Sequence, residues 1–571
     1  MNASSAKGDL SQTVGRAFFG NFRHLQPSQR HAITPIRTGS DVLILAGTGS
    51  GKTEAALAPL VDRFLPVMRS ATAPSLVHIS PTRALANDLL RRLEPPLDRL
   101  GLSVGIRHGE HNDLSKVHKP SLLITTPESL DVMLSSREES MKGVHAVVLD
   151  EIHLTYNTQR GFQLAVLLKR LESFTGRQLQ VVGLSATIAR PQDIWAFFRP
   201  NRAYVVVEEA ETKPLDSHIA HVADDAALIT VVDRLAASGP AKILLFANSR
   251  RECDSVGAVL RGHTALRDNV FVHHSSLDGE IRLRTEREFQ KKRSAVCIAT
   301  STLELGIDIG DIDLVMLYGH PPSWESFLQR VGRGNRRSHK SNVACLVSPQ
   351  HGSEFLGALA FEALITQIEE ARFDPEPPKE IYGAVVQQIL SVLLERSGAY
   401  CRQGDLADLF SDWSHLSSPA IEEILTALIQ SDHVRAHGFQ NRVGAGDGCH
   451  RLHDLRLIWG NYPSGSREVK VLHSGRELGA VPSTNLLRLK PGSIVRFAGR
   501  HWEVRRVRPE AIEIVPSHQT NGLEVTYSGA KPALNPTTIE QMLRVVETGT
   551  TGSRMAKGLR ERFLRTLARH E

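Results

Sequence analysis

The stretch LILAGTGSGKT, Leu43 to Thr53, decides how the rest of the chain is read. Val42 to Leu45 is a short apolar run of strand character, glycines at 47, 49 and 51 break it, and Lys52 to Leu57 reads as the start of a helix. A glycine-rich turn between a strand and a helix N-terminus leaves several backbone N–H groups pointing into one concave space, and the helix dipole reinforces them. Gly47, Thr48, Gly49, Ser50 and Gly51 thus form an anion cradle. Lys52 adds a mobile positive charge for the outer phosphates, and Thr53 a hydroxyl for a magnesium ion. The alternative is a glycine turn ahead of an ordinary helix. The expected ligand is a nucleoside triphosphate, which leaves open what the triphosphate is used for.

A chain of 571 residues should hold roughly three to five domains. An apolar fraction of 41% and a charged fraction of 23% are ordinary for globular protein. No uninterrupted apolar run reaches the ~18–20 residues of a membrane span. The first residues, MNASSAKGDLSQT, lack the apolar core of a signal peptide, so a cytoplasmic protein with no membrane partner is expected. Cys253, Cys297, Cys345, Cys401 and Cys449 are scattered and never form CxxC, against a disulfide framework or an iron–sulfur cluster. Cys449-His450 with His453 resembles one corner of a metal site, but no second ligand cluster accompanies it. A net charge of +6 leans modestly toward a polyanionic partner.

Upstream of the cradle, Pro27-Ser28-Gln29 precedes Ala32, and the Gln29 amide could read an adenine edge or simply face solvent. From 41 to about 205, apolar strands at 42–46, 75–80, 121–126, 145–149 and 179–184 alternate with helices such as 52–66 and 83–100. That alternation predicts a parallel sheet covered on both faces, with chemistry at the carboxyl ends of the strands. At those ends stand Ser80-Pro81-Thr82-Arg83-Ala84, Thr126-Pro127-Glu128-Ser129, Asp150-Glu151-Ile152-His153 and Ser185-Ala186-Thr187. Asp150 closes an apolar strand and can hold the Mg²⁺ that bridges phosphates; Glu151 can orient or deprotonate an attacking water. A helix cap is the plainer reading of that acidic pair.

Taken in order, GTGSGKT, SPTRALA, TTPES, DEIH and SAT resemble the first RecA-like domain of a superfamily 2 helicase, and His153 places it nearer the DExH branch. Ala46 fits the helicase variant of the loop. The resemblance implies sugar–phosphate contacts at Thr82, Arg83, Thr126, Pro127 and Glu128. It implies coupling of ATP state to strand binding at Ser185 and Thr187, with Arg107 to Glu110 as a further contact. A polar hinge at 208–213 leads to a second alternating set, with strands near 242–247, 269–273, 295–299, 313–318 and 342–347. This half has no P-loop. Its Gln329-Arg330-Val331-Gly332-Arg333-Gly334-Asn335-Arg336 matches the family motif QRxGRxxR, so Arg333 and Arg336 take the arginine-finger role. Gln329 agrees with the DExH assignment. Ser249, Arg250, His274, Ser275 and Thr300 resemble strand-binding positions, and Gly306 and Asp308 positions that reach the nucleotide.

The prolines of Asp374 to Lys379 mark a linker. Helices at 380–397, 404–410 and 419–430, then a hairpin candidate at 434–452, fit a winged helix or a generic bundle. Residues 466–516 alternate as strands, with turns at Ser474-Gly475, Pro491-Gly492 and Ala498-Gly499. Between Arg488 and Arg508 lie seven Lys/Arg against one acid, Glu503, with Phe497 and Trp502 interleaved. Those aromatics either stack bases or fill a core. LHSGRELGAV, LKPGSIVRFAGRHWEV and EIVP resemble the segment after the winged helix in large helicase-related (Lhr) proteins, a resemblance running from about residue 15 to 520.

The expected fold is α/β, with two tandem RecA-like domains (1–207 and 208–373). A winged-helix-like domain (380–462), a β-barrel-like module (463–518) and a basic helical tail (519–571) follow. The resemblance implies an ATP- and Mg²⁺-dependent helicase moving 3′ to 5′ on single-stranded DNA in a repair setting. RNA or RNA–DNA hybrid remodelling is an alternative, as is a non-unwinding subunit of a larger assembly such as a defence complex. Family members usually continue into a further helical region, so a partner protein supplying it is also expected.

Overall fold

The computed structural model describes residues 10–567 except 21, 23, 48–49, 110, 116–118, 187–189, 209–214, 240, 305–309, 335–340, 371–380, 396–399, 414–415, 439–440, 456, 460–467, 483–484, 487–488, 509, 520–522, 525–533, 535, 549–553 and 556. Two compact units result: Met1–Ala210 with Pro375–Tyr462, and Glu211–Asp374 with Pro463–Glu571. Among the described residues no helix is long and apolar enough to cross a membrane.

The first unit is built on strands β1 (Asp41–Leu45), β2 (Leu76–Ile79), β3 (Val104–His108), β4 (His111–Asn112), β5 (Leu122–Thr125), β6 (Ala146–Leu149), β7 (Gln180–Ser185) and β8 (Tyr204–Glu208). Their order in the sheet is β4-β3-β5-β2-β6-β7-β1-β8, parallel throughout except for β3 with β4. Val42 to Leu45 are all fully buried because helices cover both faces. Leu43, Leu45, Val77 and Val147 enter one core, and their neighbours Val42, Ile44, Leu76 and Val148 enter the other. The period-2 alternation of a strand dictates this split. β3, β4 and β8 escaped the sequence reading: β4 has two residues, and β8 carries the exposed Val205 and Val206.

Residues after the linker join the first of these cores. The helix Tyr382–Glu395 packs Val385, Ile389 and Leu393 against it, each burial worth roughly 1.5–3 kcal/mol. The joint is also polar. Asp131, fully buried, accepts hydrogen bonds from Gln163 (2.9 Å), Arg170 (2.9 Å), Gln387 (2.8 Å), Gln388 (2.6 Å) and Ser391 (2.5 Å). The helices Gln403–Phe410 and Ser418–Gln430 follow, with a three-stranded sheet of β15 (Cys401–Arg402), β16 (Val434–His437) and β17 (Arg442–Ala445) in the order β15-β17-β16. The expected hairpin at 434–452 ends at Ala445, and Asp447–Asp454 is a helix that buries Gly448 and Cys449.

The second unit holds β9 (Leu215–His221), β10 (Lys242–Ala247), β11 (Val270–His273), β12 (Ala295–Ala299), β13 (Leu314–Tyr318) and β14 (Ser341–Val347), all parallel, in the order β11-β12-β10-β13-β14-β9. β9 was not anticipated. It is an edge strand that buries Ser217 and Ile219 and leaves Asp216 and His218 exposed, so its sequence lacks an apolar run.

A second, mostly antiparallel sheet follows: β18 (Glu468–His473), β19 (Arg476–Pro482), β20 (Ile494–Phe497), β21 (Arg500–Val507), β22 (Ala511–Pro516) and β23 (Leu523–Glu524). Ser474-Gly475 and Ala498-Gly499 both have positive φ at the two central positions, as tight hairpins require. Phe497 and Trp502 are buried with Val471, Val495 and Val504, so the core reading of these aromatics holds and base stacking on them does not. The helix Pro536–Thr548 packs on Glu354–Glu369, where Thr538 meets Gln367 at 3.2 Å. Basic residues of the tail are engaged there too, with Arg554 on Glu362 and Arg562 on Glu354.

Candidate nucleotide and nucleic-acid site

In the first unit the carboxyl ends of β1, β6 and β7 gather the charged motifs. Gly51, at φ +76, caps the helix Lys52–Ser70, and a Cβ there would lie 2.3 Å from Gln29 Nε2. Only glycine therefore lets Gln29 donate to the Gly51 carbonyl (3.3 Å) while its Oε1 accepts from the Gln26 N–H (3.0 Å). Ser50 Oγ closes the loop by donating to the Gly47 carbonyl at 2.8 Å. Thr48 and Gly49 lie outside the described residues.

Lys52 and Thr53 begin the helix and are both buried. Lys52 Nζ donates to the carbonyls of Ala46 (2.9 Å) and Ser185 (3.1 Å) and stands 3.5 Å from Glu151 Oε2. Among the described residues that carboxylate oxygen has no hydrogen-bond partner although it is buried. Glu151 is also held in the left-handed region (φ 45, ψ 48), a strained conformation for a residue with a Cβ.

Burial alone would raise the Asp150 carboxyl, but its contact with His78 (3.4 Å) and the charges of Lys52 and Arg92 outweigh it, so the group stays below the usual carboxylate range. His153 is neutral. Burial pushes its pKa down to about 4, with Glu151 pulling up, Lys52 pushing down and Asp150 pulling up. Its Nδ1 accepts from the Ala186 N–H (3.2 Å) and lies 3.0 Å from Ser185 Oγ, which joins the DEIH segment directly to the SAT segment. Thr187 lies outside the described residues.

Three expected backbone contacts stand at helix N-termini. Thr82 caps Arg83–Asp98, Thr126 precedes Pro127–Ser135, and Ser249 caps Arg250–His263. Helix N-termini present N–H donors and a positive dipole end to phosphates. Arg83 is exposed, and its guanidinium borders Gly109. Glu128 is gripped by Arg160, whose Nε lies 2.5 Å from Oε1 and Nη2 3.0 Å from Oε2, while Nη1 donates to the Pro81 carbonyl. Arg160 therefore ties together two segments expected to contact the strand. Sequence reasoning missed it because an arginine on a helix reads as a solvated face. It also missed His78, although a histidine inside the apolar run Leu76–Ile79 was a visible signal.

In the second unit Arg250 donates to Ser276 Oγ at 2.7 Å, and Thr300 is buried at the end of β12. Ser275 is exposed, whereas His274 is fully buried, with Nε2 3.2 Å from Asp254 Oδ1. Gln329 is buried beside Arg330, which donates to Glu304 Oε1 (2.7 Å) and Asn248 Oδ1 (2.8 Å). Arg333 is only 1% exposed and donates through Nη2 to the Glu304 carbonyl at 2.6 Å. Gly306, Asp308 and Arg336 lie outside the described residues. Among the described residues no His, Cys, Asp and Glu cluster suits a metal ion, and Cys449 is buried with its thiol pushed up to about 11 by that burial.

Two RecA-like units, the first with a P-loop and an acidic pair and the second with an arginine-rich motif, define a superfamily 2 helicase architecture. Residues 26–194 match the DEAD/DEAH box helicase family and residues 226–338 the helicase conserved C-terminal domain. The chain belongs to this superfamily and is Lhr-like within it. It is 28% identical to the ATP-dependent helicase Lhr-Core protein 2 of Thermococcus barophilus over 94% of this chain and 66% of that protein. It is 33% identical to the Lhr-Core helicase of Sulfolobus acidocaldarius over 88% and 62%. The structure of Mycobacterium smegmatis helicase Lhr bound to ssDNA and AMP-PNP superposes with a TM-score of 0.69 at 27% identity, covering 81% of this chain and 63% of that one. The chain thus spans about two thirds of the length of these relatives. The DUF1998 helicase MrfA shares the fold, with a TM-score of 0.70 at 16% identity over 90% of this chain and 74% of that one.

Proposed function

We propose that the chain is an ATP- and Mg²⁺-dependent nucleic-acid helicase and translocase, moving 3′ to 5′ on single-stranded DNA, with ATP hydrolysed where the two RecA-like units meet it. The observation that carries this reading is the buried cluster of Lys52, Glu151, His153 and Ser185 beside the glycine-rich loop. A buried carboxylate oxygen that has Lys52 3.5 Å away but no hydrogen bond among the described residues is costly unless a ligand completes it. That the M. smegmatis relative is bound to ssDNA and AMP-PNP supports the same choice of ligands.

The backbone N–H groups from Gly47 to Thr53 cradle the phosphates. Lys52 exchanges its two carbonyl partners for phosphate oxygens, a stronger, charge-assisted bond. Gln29 is placed to meet the adenine edge. The Thr53 hydroxyl and the Asp150 carboxylate, kept ionised despite burial, are the residues that suit Mg²⁺. When bound, that ion neutralises phosphate charge. Glu151 orients the attacking water and takes its proton. Gly306 and Asp308 contact the nucleotide. Arg333 gives up the Glu304 carbonyl to meet developing phosphate charge, together with Arg336. Neutral His153 transmits the state of Glu151 to Ser185 and Thr187.

Thr82, Arg83, Thr126, Pro127, Glu128, Ser249, Arg250, Ser275 and Thr300 grip the sugar–phosphate backbone, largely without reading sequence. Residues 380–462 act as a winged-helix module, 463–518 as a barrel-like module and 519–571 as a basic tail.

The test is ATPase and strand separation on 3′-tailed and 5′-tailed duplexes of DNA, RNA and hybrid, with Lys52→Ala beside the wild type. Hydrolysis indifferent to every nucleic acid, or surviving Lys52→Ala, sinks the reading. Strand affinity should fall with salt at a log–log slope of about −0.7 per phosphate contact.

A further inference from the structure

The segment after β11, His274-Ser275-Ser276-Leu277-Asp278, is built into the C-terminal sheet. The Ser276 carbonyl accepts from Ala480 N at 2.8 Å, Asp278 N donates to the Leu478 carbonyl at 2.8 Å, and Leu277 bridges Gly479 in antiparallel fashion. The segment therefore runs as an added edge along β19. A Cβ on Gly479, at φ +155, would lie 1.8 Å from the Ser276 oxygen, so a larger residue forces the two chains apart.

The other end of the segment is fastened by side chains. His274 Nε2 meets Asp254 Oδ1 at 3.2 Å, and the same oxygen accepts the Gly499 N–H at 2.9 Å. The His274 ring stands edge-on to Phe497, with centroids 6.2 Å apart. Arg261 spans from the Gly499 carbonyl (2.6 Å) to the Val270 carbonyl (2.7 Å). Between the two fastenings Ser275 points outward, next to Ser276 and its Arg250 partner.

We propose that His274, Asp254 and Gly479 are positioning residues, through which the C-terminal sheet sets strand affinity by fixing the Ser275–Ser276 loop. This rests on the strand-gripping reading above and reassigns His274 from strand contact to anchor. A loop ordered before the strand arrives does not lose that freedom on binding, so affinity rises without any contact from the sheet itself.

The test compares wild type, Asp254→Ala, Asp254→Asn and Gly479→Ala. Hydrogen exchange is followed across 274–279, and ATPase is titrated with an oligo-dT of about 20 nucleotides. Asn keeps an acceptor oxygen where Asp254 has one, and Ala does not. Asp254→Ala and Gly479→Ala should speed exchange of the segment and raise the half-saturating strand concentration at least about tenfold. kcat and the KM for ATP should stay within about twofold, and Asp254→Asn should stay near wild type throughout. Melting curves identify any variant that fails to fold, and the Asp254 pair decides the matter if Gly479→Ala is lost. Unchanged exchange, or faster exchange with unchanged half-saturation, overturns the inference. A wild-type protein that no strand stimulates overturns the strand-gripping reading itself, a failure visible without any variant.

Discussion

The two parallel sheets place polar residues at the same edge and treat them in opposite ways. In the first unit, Lys52 rests on backbone carbonyls, Glu151 keeps a buried oxygen without a hydrogen-bond partner among the described residues in a left-handed backbone, and His153 is held neutral. In the second, His273 is bound at both nitrogens, to Thr302 and Glu286 at 2.9 Å each, and Arg330 lies between Glu304 and Asn248. The first edge leaves a buried carboxylate oxygen without a hydrogen bond among the described residues, whereas His273 and Arg330 of the second are spent on shaping loops. Strained and under-bonded groups gather where chemistry is done, whereas fully bonded networks fix geometry.

Arg333 is the sharpest way to break that contrast, because its Nη2 is bonded to the Glu304 carbonyl of its own unit, yet the proposed role assigns it to the chemistry of the other. Arg333→Ala should lower strand-stimulated ATPase by roughly 10³-fold or more. Arg333→Lys should not restore it, since a point charge cannot reproduce the guanidinium fork. Steady-state turnover with saturating strand measures both. An Arg333→Ala protein with near-normal turnover would leave Arg333 a purely structural member of the Glu304 network. Next in size is Glu151→Gln, expected to cost about 10²–10⁴ in turnover while retaining binding of a labelled non-hydrolysable ATP analogue. Loss of nucleotide binding in that variant would mean that Glu151 holds the loop rather than the water.

The appended regions repeat the contrast in terms of stability. Asp131 and Arg170 have side chains 0% and 5% exposed, so Asp131→Ala takes the shared acceptor from Gln163, Gln387 and Gln388, leaves Arg170 to Glu395 (3.2 Å), and should cost about 3–5 kcal/mol in urea unfolding of the first unit. Arg562→Ala, from a pair 51% and 29% exposed in the second unit, should cost no more than about 1 kcal/mol. Similar losses from the two variants would mean that the Asp131 network does not anchor the helix Tyr382–Glu395.

Much of this fold was legible because buried parallel strands write themselves as apolar runs, as at Val42 to Leu45 and Ala295 to Ala299. A strand solvated on one side leaves no such signature, and for that reason β9 was missed; β8 was missed although Tyr204 to Val207 is an apolar run. The glycine-rich loop, the acidic pair and the arginine motif were legible as sequence patterns because their residues stand at fixed spacing. Their partners were not: His78 beside Asp150, Arg160 on Glu128 and Asp254 on His274 act across 72, 32 and 20 positions of sequence, with no motif joining them. Phe497 and Trp502 show the reverse risk, since aromatics among arginines suggested a binding face and proved to be core.

The smallest effect tests the neutral histidine on which the first edge depends. In the unfolded chain His153 takes up a proton near its ordinary value of about 6.5; in the folded chain burial delays this to about 4. Between those values the unfolded state binds the additional proton. Its contribution to stability is therefore intact above about pH 6.5 and declines as pH falls toward 4. At about pH 5.5 the loss amounts to about 1.4 kcal/mol. The Asp150 carboxyl, shifted below its ordinary range, adds a loss only at lower pH, so the windows separate. His145, His273 and His320 are lowered by burial as well and act in the same direction, which makes the total slope uninformative. The difference between wild type and His153→Asn isolates one group, because Asn Oδ1 can still accept the Ala186 N–H but does not titrate. Melting temperatures at about pH 7.5 and about pH 5.5 should then converge more closely in the variant than in the wild type. Equal shifts in both proteins would mean that His153 titrates in the folded chain near its ordinary value and is largely protonated by about pH 5.5. The Ala186 N–H could then have no lone pair on Nδ1 to meet, and the link from DEIH to SAT would have to run through Ser185 alone.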